Sequence, residues 1–186
     1  MSAFLPDQQS NAIVRIFKAN GQYAGTGFFV DAEGGILTTL YIVGKDKQFI
    51  LIGSDNQTFN AVLEKSDGRA ELALLRMSGG VQKSYLNINN ISEPPLCEKV
   101  TILGYSGNAL SMLAGTAAGT YSQDTLSPNK ILIRVDTPPR GLSGAPAIDK
   151  NGDVIGILIA YLPERNSALT VAGATALAFI QTQEAL

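Results

Sequence analysis

Short apolar runs that alternate with polar positions at a period of two dominate this chain. By that pattern, strands are expected over residues 12–18, 25–30, 36–39, 49–52, 61–65 and 72–77. A second set is expected over 100–103, 115–121, 131–135, 145–148 and 154–161. Turn signals separate them, among them Asn20-Gly21, Glu33-Gly34-Gly35, Asp67-Gly68 and Asn151-Gly152. Strands at this spacing, with no helical period between them, predict an all-β barrel or sandwich. The stretch from Ser78 to Pro95 is rich in Gly, Asn, Ser and Pro and divides the strands into two groups of similar size. It reads as a linker between two lobes of one unit. Near the C-terminus Val171, Ala174, Leu177 and Ala178 recur at helical spacing, predicting a short amphipathic helix packed on the second lobe. The expected division is therefore residues 10–80, a linker over 81–96, residues 97–170, and a helix over 171–186, all within one unit spanning 1–186.

Composition narrows the function classes. The chain has 186 residues, 45% of them hydrophobic and only 16% charged, which suits one domain or one two-lobed unit with a sizeable core. Net charge is −2 and the lysines and arginines are scattered, so neither nucleic acid nor an anionic membrane surface is an expected partner. The apolar runs are too short to span a bilayer as helices. Residues 1–10 lack a basic start and an apolar run, so they do not read as a signal peptide. Cys97 is the single cysteine, which rules out an internal disulfide within these 186 residues and fits a reducing cytoplasm. Between Leu96 and Val100 it reads as a small packing residue. Nothing in the sequence calls for a metal or a cofactor.

Three segments carry chemistry. The first is Gly25-Thr26-Gly27-Phe28-Phe29-Val30 followed by Gly35-Ile36-Leu37-Thr38-Thr39-Leu40-Tyr41. The second is Glu71-Leu72-Ala73-Leu74-Leu75, and the third is Gly141-Leu142-Ser143-Gly144-Ala145-Pro146. Each alone is weak, since a Gly-x-Ser-Gly turn occurs in many unrelated loops. In this order and spacing the set resembles the trypsin/chymotrypsin-like serine protease family, particularly its bacterial trypsin-like peptidase domains. The resemblance implies two six-stranded antiparallel β-barrels with a cleft between them and a short C-terminal helix. It places Ser143 at the nucleophile, the Gly141 and Ser143 N–H groups in the oxyanion hole, Tyr41 at the histidine position and Glu71 at the aspartate position.

The departures matter chemically. Histidine is absent from the whole chain. An unperturbed tyrosine titrates near about pH 10, so at neutral pH Tyr41 offers a donor where an acceptor for the serine proton is needed. Bringing it to neutrality takes a shift of about three units, roughly 4 kcal/mol, and a neighbouring carboxylate acts the opposite way. A neutral Tyr41 hydroxyl donating to Glu71 is the expected arrangement. Lys45 and Lys47 sit in a polar turn and are poor candidates for a serine–lysine dyad.

The resemblance with these departures implies a degenerate family member, a pseudoprotease, that acts as a peptide- or protein-binding module. The alternative is an active serine endopeptidase using Ser143 with a non-standard or partner-supplied base. In the family an extended substrate lies along the strand after the nucleophile loop, which here is Leu158-Ile159-Ala160-Tyr161. β-Augmentation of that strand needs no nucleophile. The resemblance places Thr137, Ile159 and Tyr161 around the primary pocket with no acidic residue at its base. Relatives of this type also imply a protein or extended-peptide partner, within a multi-protein or multidomain signalling or defence assembly.

Overall fold

The computed structural model describes residues 7–80, 82, 84–122 and 125–183. Residues 81 and 83 of the expected linker, and 184–186 of the expected helix, lie outside the described residues. After a single helical turn, α1 (Asp7–Asn11), six strands follow: β1 (Ile13–Lys18), β2 (Tyr23–Phe29), β3 (Gly35–Thr39), β4 (Gln48–Ile52), β5 (Thr58–Asp67) and β6 (Leu72–Met77). A short helix, α2 (Leu40–Val43), sits between β3 and β4. The second set comprises β7 (Lys99–Ser106), β8 (Ala109–Tyr121), β9 (Lys130–Val135), β10 (Pro146–Ile148), β11 (Val154–Leu162) and β12 (Ser167–Ala172), followed by α3 (Gly173–Gln181).

Each set closes into an antiparallel six-stranded barrel, and the two share one topology. The first runs β1-β2-β3-β6-β5-β4 and the second β7-β8-β9-β12-β11-β10. Closure leaves no long free sheet edge, which suits strands this short. Each barrel fills its own interior. Ile16, Phe29, Ile36, Phe49 and Leu75 pack in the first, and Ile102, Ile133, Ala147, Ile155 and Leu158 in the second. A third apolar cluster joins Phe28, Leu37 and Leu72 from the first barrel to Leu103, Tyr105 and Ile157 from the second. Each fully buried side chain of this size contributes about 1.5–3 kcal/mol, so the inter-barrel cluster makes the two lobes one body.

Polar contacts reinforce that join. The Tyr23 hydroxyl donates to the Tyr105 carbonyl at 2.7 Å, and the Tyr105 N–H donates to Thr26 Oγ1 at 2.9 Å. Burial raises both phenols above their ordinary range. Lys65 on β5 donates to the carbonyls of Phe179, Ile180 and Thr182, capping the end of α3 from the opposite barrel. The connecting segment is pinned as well: the Leu86 N–H donates to Phe29 O, and the Asn89 N–H to Val154 O.

Three expectations need correction. Val171 and Ala172 belong to β12, and α3 begins only at Gly173. All six residues of β12 are buried, and the strand runs straight into α3, so Val171 also fits the helical spacing of Ala174, Leu177 and Ala178. Strand β8 begins at Ala109 rather than at 115, forming a long hairpin with β7. Cys97 is exposed rather than packed, in a turn where Leu96 is also 70% exposed and Cys97 has φ 64°.

Candidate functional site

The loop carrying Ser143 is fixed by a hydrophobic anchor and two close approaches. Leu142 is buried in the second barrel's core and holds the loop from below. Gly141 and Gly144 both have positive φ, 75° and 84°, where a Cβ is strained. A side chain on Gly144 would also overlap the Thr26 carbonyl oxygen and press within 2.7 Å of Thr38 Oγ1 and the tip of Ile42. Across the barrel interface the Thr26 N–H donates to Ser143 O at 3.0 Å, while the Gly144 N–H donates to Leu158 O at 2.9 Å. Ser143 itself is partly exposed. Among the described residues, neither the Gly141 nor the Ser143 N–H donates to a backbone carbonyl. The resemblance assigns these two N–H groups to an oxyanion hole.

The other two positions are arranged differently. Tyr41 lies on α2 and is 87% exposed. Glu71 sits in the turn before β6 with φ 60°, and its carbonyl accepts from the Leu40 N–H at 3.0 Å, so its backbone adjoins the start of α2. Its carboxylate turns elsewhere: Oε2 lies 2.9 Å from Lys130 Nζ. No hydrogen bond joins Tyr41 to Glu71, which corrects the expected pairing. An ammonium is a stronger partner for a carboxylate than a neutral phenol, and Lys130 is only 8% exposed. Nor does a hydrogen bond link Ser143 to Tyr41, Glu71 or Lys130. Thr39, immediately before α2, keeps a buried hydroxyl without a partner. Lys45 and Lys47 are exposed, as expected.

The segment expected to take a peptide is partly occupied. The Leu158 N–H donates to Ala145 O at 2.9 Å and its carbonyl accepts from Gly144, so Leu158 is used by the nucleophile loop and is buried. Beyond it, β11 pairs with β12 on one side through Ala160, Tyr161 and Leu162, with a bulge between Leu158 and Ala160. On the other side no described strand pairs with residues 159–162.

Cavities flank this edge on both faces. One of about 500 Å³ is lined by Pro138, Pro139, Arg140, Tyr161, Pro163 and Asn166. The other, of about 210 Å³, is lined by Ile159, Ala160 and Leu162 together with Glu71, Tyr121 and Lys130. Alternation along the strand sends Tyr161 one way and Ala160 and Leu162 the other, and the bulge brings Ile159 to the second face. Of the three residues expected around one pocket, only Tyr161 lines the larger cavity, Ile159 lines the smaller, and Thr137 is exposed and lines neither. No acidic residue lines the larger cavity. Lys130 was not anticipated from sequence, because a lysine opening a strand 59 positions from Glu71 carries no local signal.

A family model described as a trypsin-like peptidase domain matches residues 25–157. The chain belongs to that family. Among similar curated proteins, a probable periplasmic serine endoprotease DegP-like from Bartonella henselae is 27% identical over 135 residues, covering 72% of this chain and 27% of its own length. Human serine protease HTRA4 is 24% identical over 144 residues, covering 73% of this chain and 30% of its own. The chain thus spans under a third of these relatives. Among solved structures, the HtrA-type protease AlgW with decapeptide aligns with TM-score 0.82 at 17% identity, over 94% of this chain and 65% of that one. Rv3671c from M. tuberculosis, an inactive serine-to-alanine mutant, aligns with TM-score 0.78 at 20% identity, over 97% and 91%. At these identities the structural likeness establishes the fold.

Proposed function

We propose that this trypsin-like domain is a pseudoprotease that binds an extended peptide segment of a protein partner without cleaving it. The carrying observation is the unpaired edge of residues 159–162 with a cavity on each face, beside a serine whose base position holds a solvent-exposed tyrosine. A strand added to that edge gains backbone hydrogen bonds, and its alternate side chains meet the two cavities in turn. The test is selection from a displayed random-peptide library, followed by titration of the selected peptides and of versions N-methylated at alternate positions. The proposal expects binding that N-methylation on one register abolishes, with the peptides recovered intact. Absence of selectable binders, or indifference to N-methylation in both registers, contradicts it.

A second reading rests on the loop around Ser143, in which neither the Gly141 nor the Ser143 N–H donates to a backbone carbonyl among the described residues. With a base supplied by a partner, the same loop would support acyl transfer, the chemistry that the names of the DegP-like relatives imply. Cleavage of selected peptides only when a partner is added would favour it. Placement in the cytoplasm remains a proposal carried by cysteine usage. The DegP-like relatives are periplasmic by name, and fractionation of the full-length protein decides between the two.

A further inference from the structure

The ion pair between Glu71 and Lys130 is asymmetric. Lys130 opens β9 in the second barrel and is buried, with 10% of its side chain exposed, whereas 48% of the Glu71 side chain is exposed. A buried ammonium requires a counter-charge, while a carboxylate at the surface is well served by water. The pair therefore persists because the lysine needs it, and the lysine decides where the carboxylate points. That direction is into the 210 Å³ cavity with Ile159, Leu162 and Leu169, while Tyr41 stands in solvent on α2. Backbone adjacency does not reunite them, although the Leu40 N–H bonds directly to Glu71 O.

We propose that Lys130 is a positioning residue that holds the Glu71 carboxylate away from position 41, a second obstacle to catalysis separate from Tyr41. This rests on reading Tyr41 and Glu71 as the displaced base and orienting positions. A base at position 41 needs a carboxylate to fix its tautomer and to stabilise its cation, and a glutamate serves that role in some triads. With the carboxylate held by Lys130, a histidine at position 41 alone is left without an orienting partner. Removing the lysine charge releases Glu71 toward α2, where its backbone already lies.

The experiment compares fluorophosphonate labelling of Ser143, followed by intact-mass spectrometry, in three variants of the full chain. They are Tyr41→His, Tyr41→His/Lys130→Met, and the latter with Glu71→Gln added. The expected result is labelling about tenfold or more faster in the second than in the first. That gain lies within the roughly 10⁴-fold an orienting carboxylate is worth in a complete triad. Labelling should fall back to the first variant's rate in the third. The pH midpoint of labelling should also be higher in the second variant than in the first, because a neighbouring carboxylate raises an imidazole's pKa. Return of that midpoint in the third variant to the first variant's value separates orientation by Glu71 from the bare loss of the lysine charge. Lys130→Gln takes the place of Lys130→Met if the latter does not fold. Equal labelling in the first two variants, whether fast or absent, overturns the inference, as does a gain that survives Glu71→Gln. Ser143-dependent labelling of the unaltered protein would instead overturn the pseudoprotease reading.

Discussion

The carboxylate of Glu71 meets the ammonium of Lys130 at 2.9 Å across the junction of the two barrels. Glu71, which the resemblance sets at the orienting position, serves here as a strut between lobes. Its two partners respond differently to removal. Glu71→Gln leaves a buried ammonium without its counter-charge, and urea denaturation is expected to show a loss of about 1–3 kcal/mol. Lys130→Met replaces the ammonium with an apolar group of similar length and leaves a carboxylate that is already half-exposed, for a change under about 1 kcal/mol. A larger loss for the lysine variant would show that the strut is not what holds the pair.

Gly144 is where the nucleophile loop touches the first barrel. With φ 84° and the Thr26 carbonyl in the way of any Cβ, Gly144→Ala is expected to cost about 2–3 kcal/mol in denaturant unfolding. A neutral result would mean that the loop moves off the barrel freely.

Lys65 caps α3 from the opposite barrel through three carbonyls. Lys65→Met should destabilise by about 1–2 kcal/mol, since charged hydrogen bonds are lost from a partly exposed position. Hydrogen exchange is expected to quicken first in α3, and unchanged protection there would contradict the capping role.

Thr39 buries a hydroxyl with no partner. Thr39→Val keeps the shape and removes the desolvated group, so the variant should be as stable as the parent or more stable by about 1 kcal/mol. A clear loss of stability in thermal melts would imply a partner for that hydroxyl.

Burial lifts the Tyr23 phenol above its ordinary range, against the lowering effects of the Thr26 hydrogen bond and Arg15. An acid whose folded pKa is raised keeps its proton longer in the folded state. Its contribution is intact below about pH 10 and is lost as pH climbs through the unfolded value toward the folded one. Urea midpoints should therefore fall above about pH 10, and less steeply in Tyr23→Phe. Identical slopes would contradict the assignment.

Much of the fold was legible because short β-branched and apolar runs are bounded by Gly, Asn and Asp turn signals, even where both faces are covered as in β3. The spans of β1, β6 and β9, and the Ser143 loop between its glycines, fall close to where the pattern places them. β12 was missed because it passes directly into α3 with no Asn-Gly or Asp-Gly turn between them, which lets Val171 pass for the start of a helix. At the site, order and spacing single out Ser143, Tyr41 and Glu71 by backbone position alone. Their side-chain partners were not legible, because Lys130 comes from another barrel and only closure of both barrels brings it to Glu71. The same holds for the larger cavity, where Pro163 and Asn166 join Tyr161 through the turn after β11.

On the proposed reading, Ser143 sits in a protease-like loop without a base. Incubating the unaltered protein with a fluorophosphonate and weighing it intact tests this directly. The expected result is no adduct above that of Ser143→Ala. A stoichiometric adduct that disappears in Ser143→Ala would contradict it.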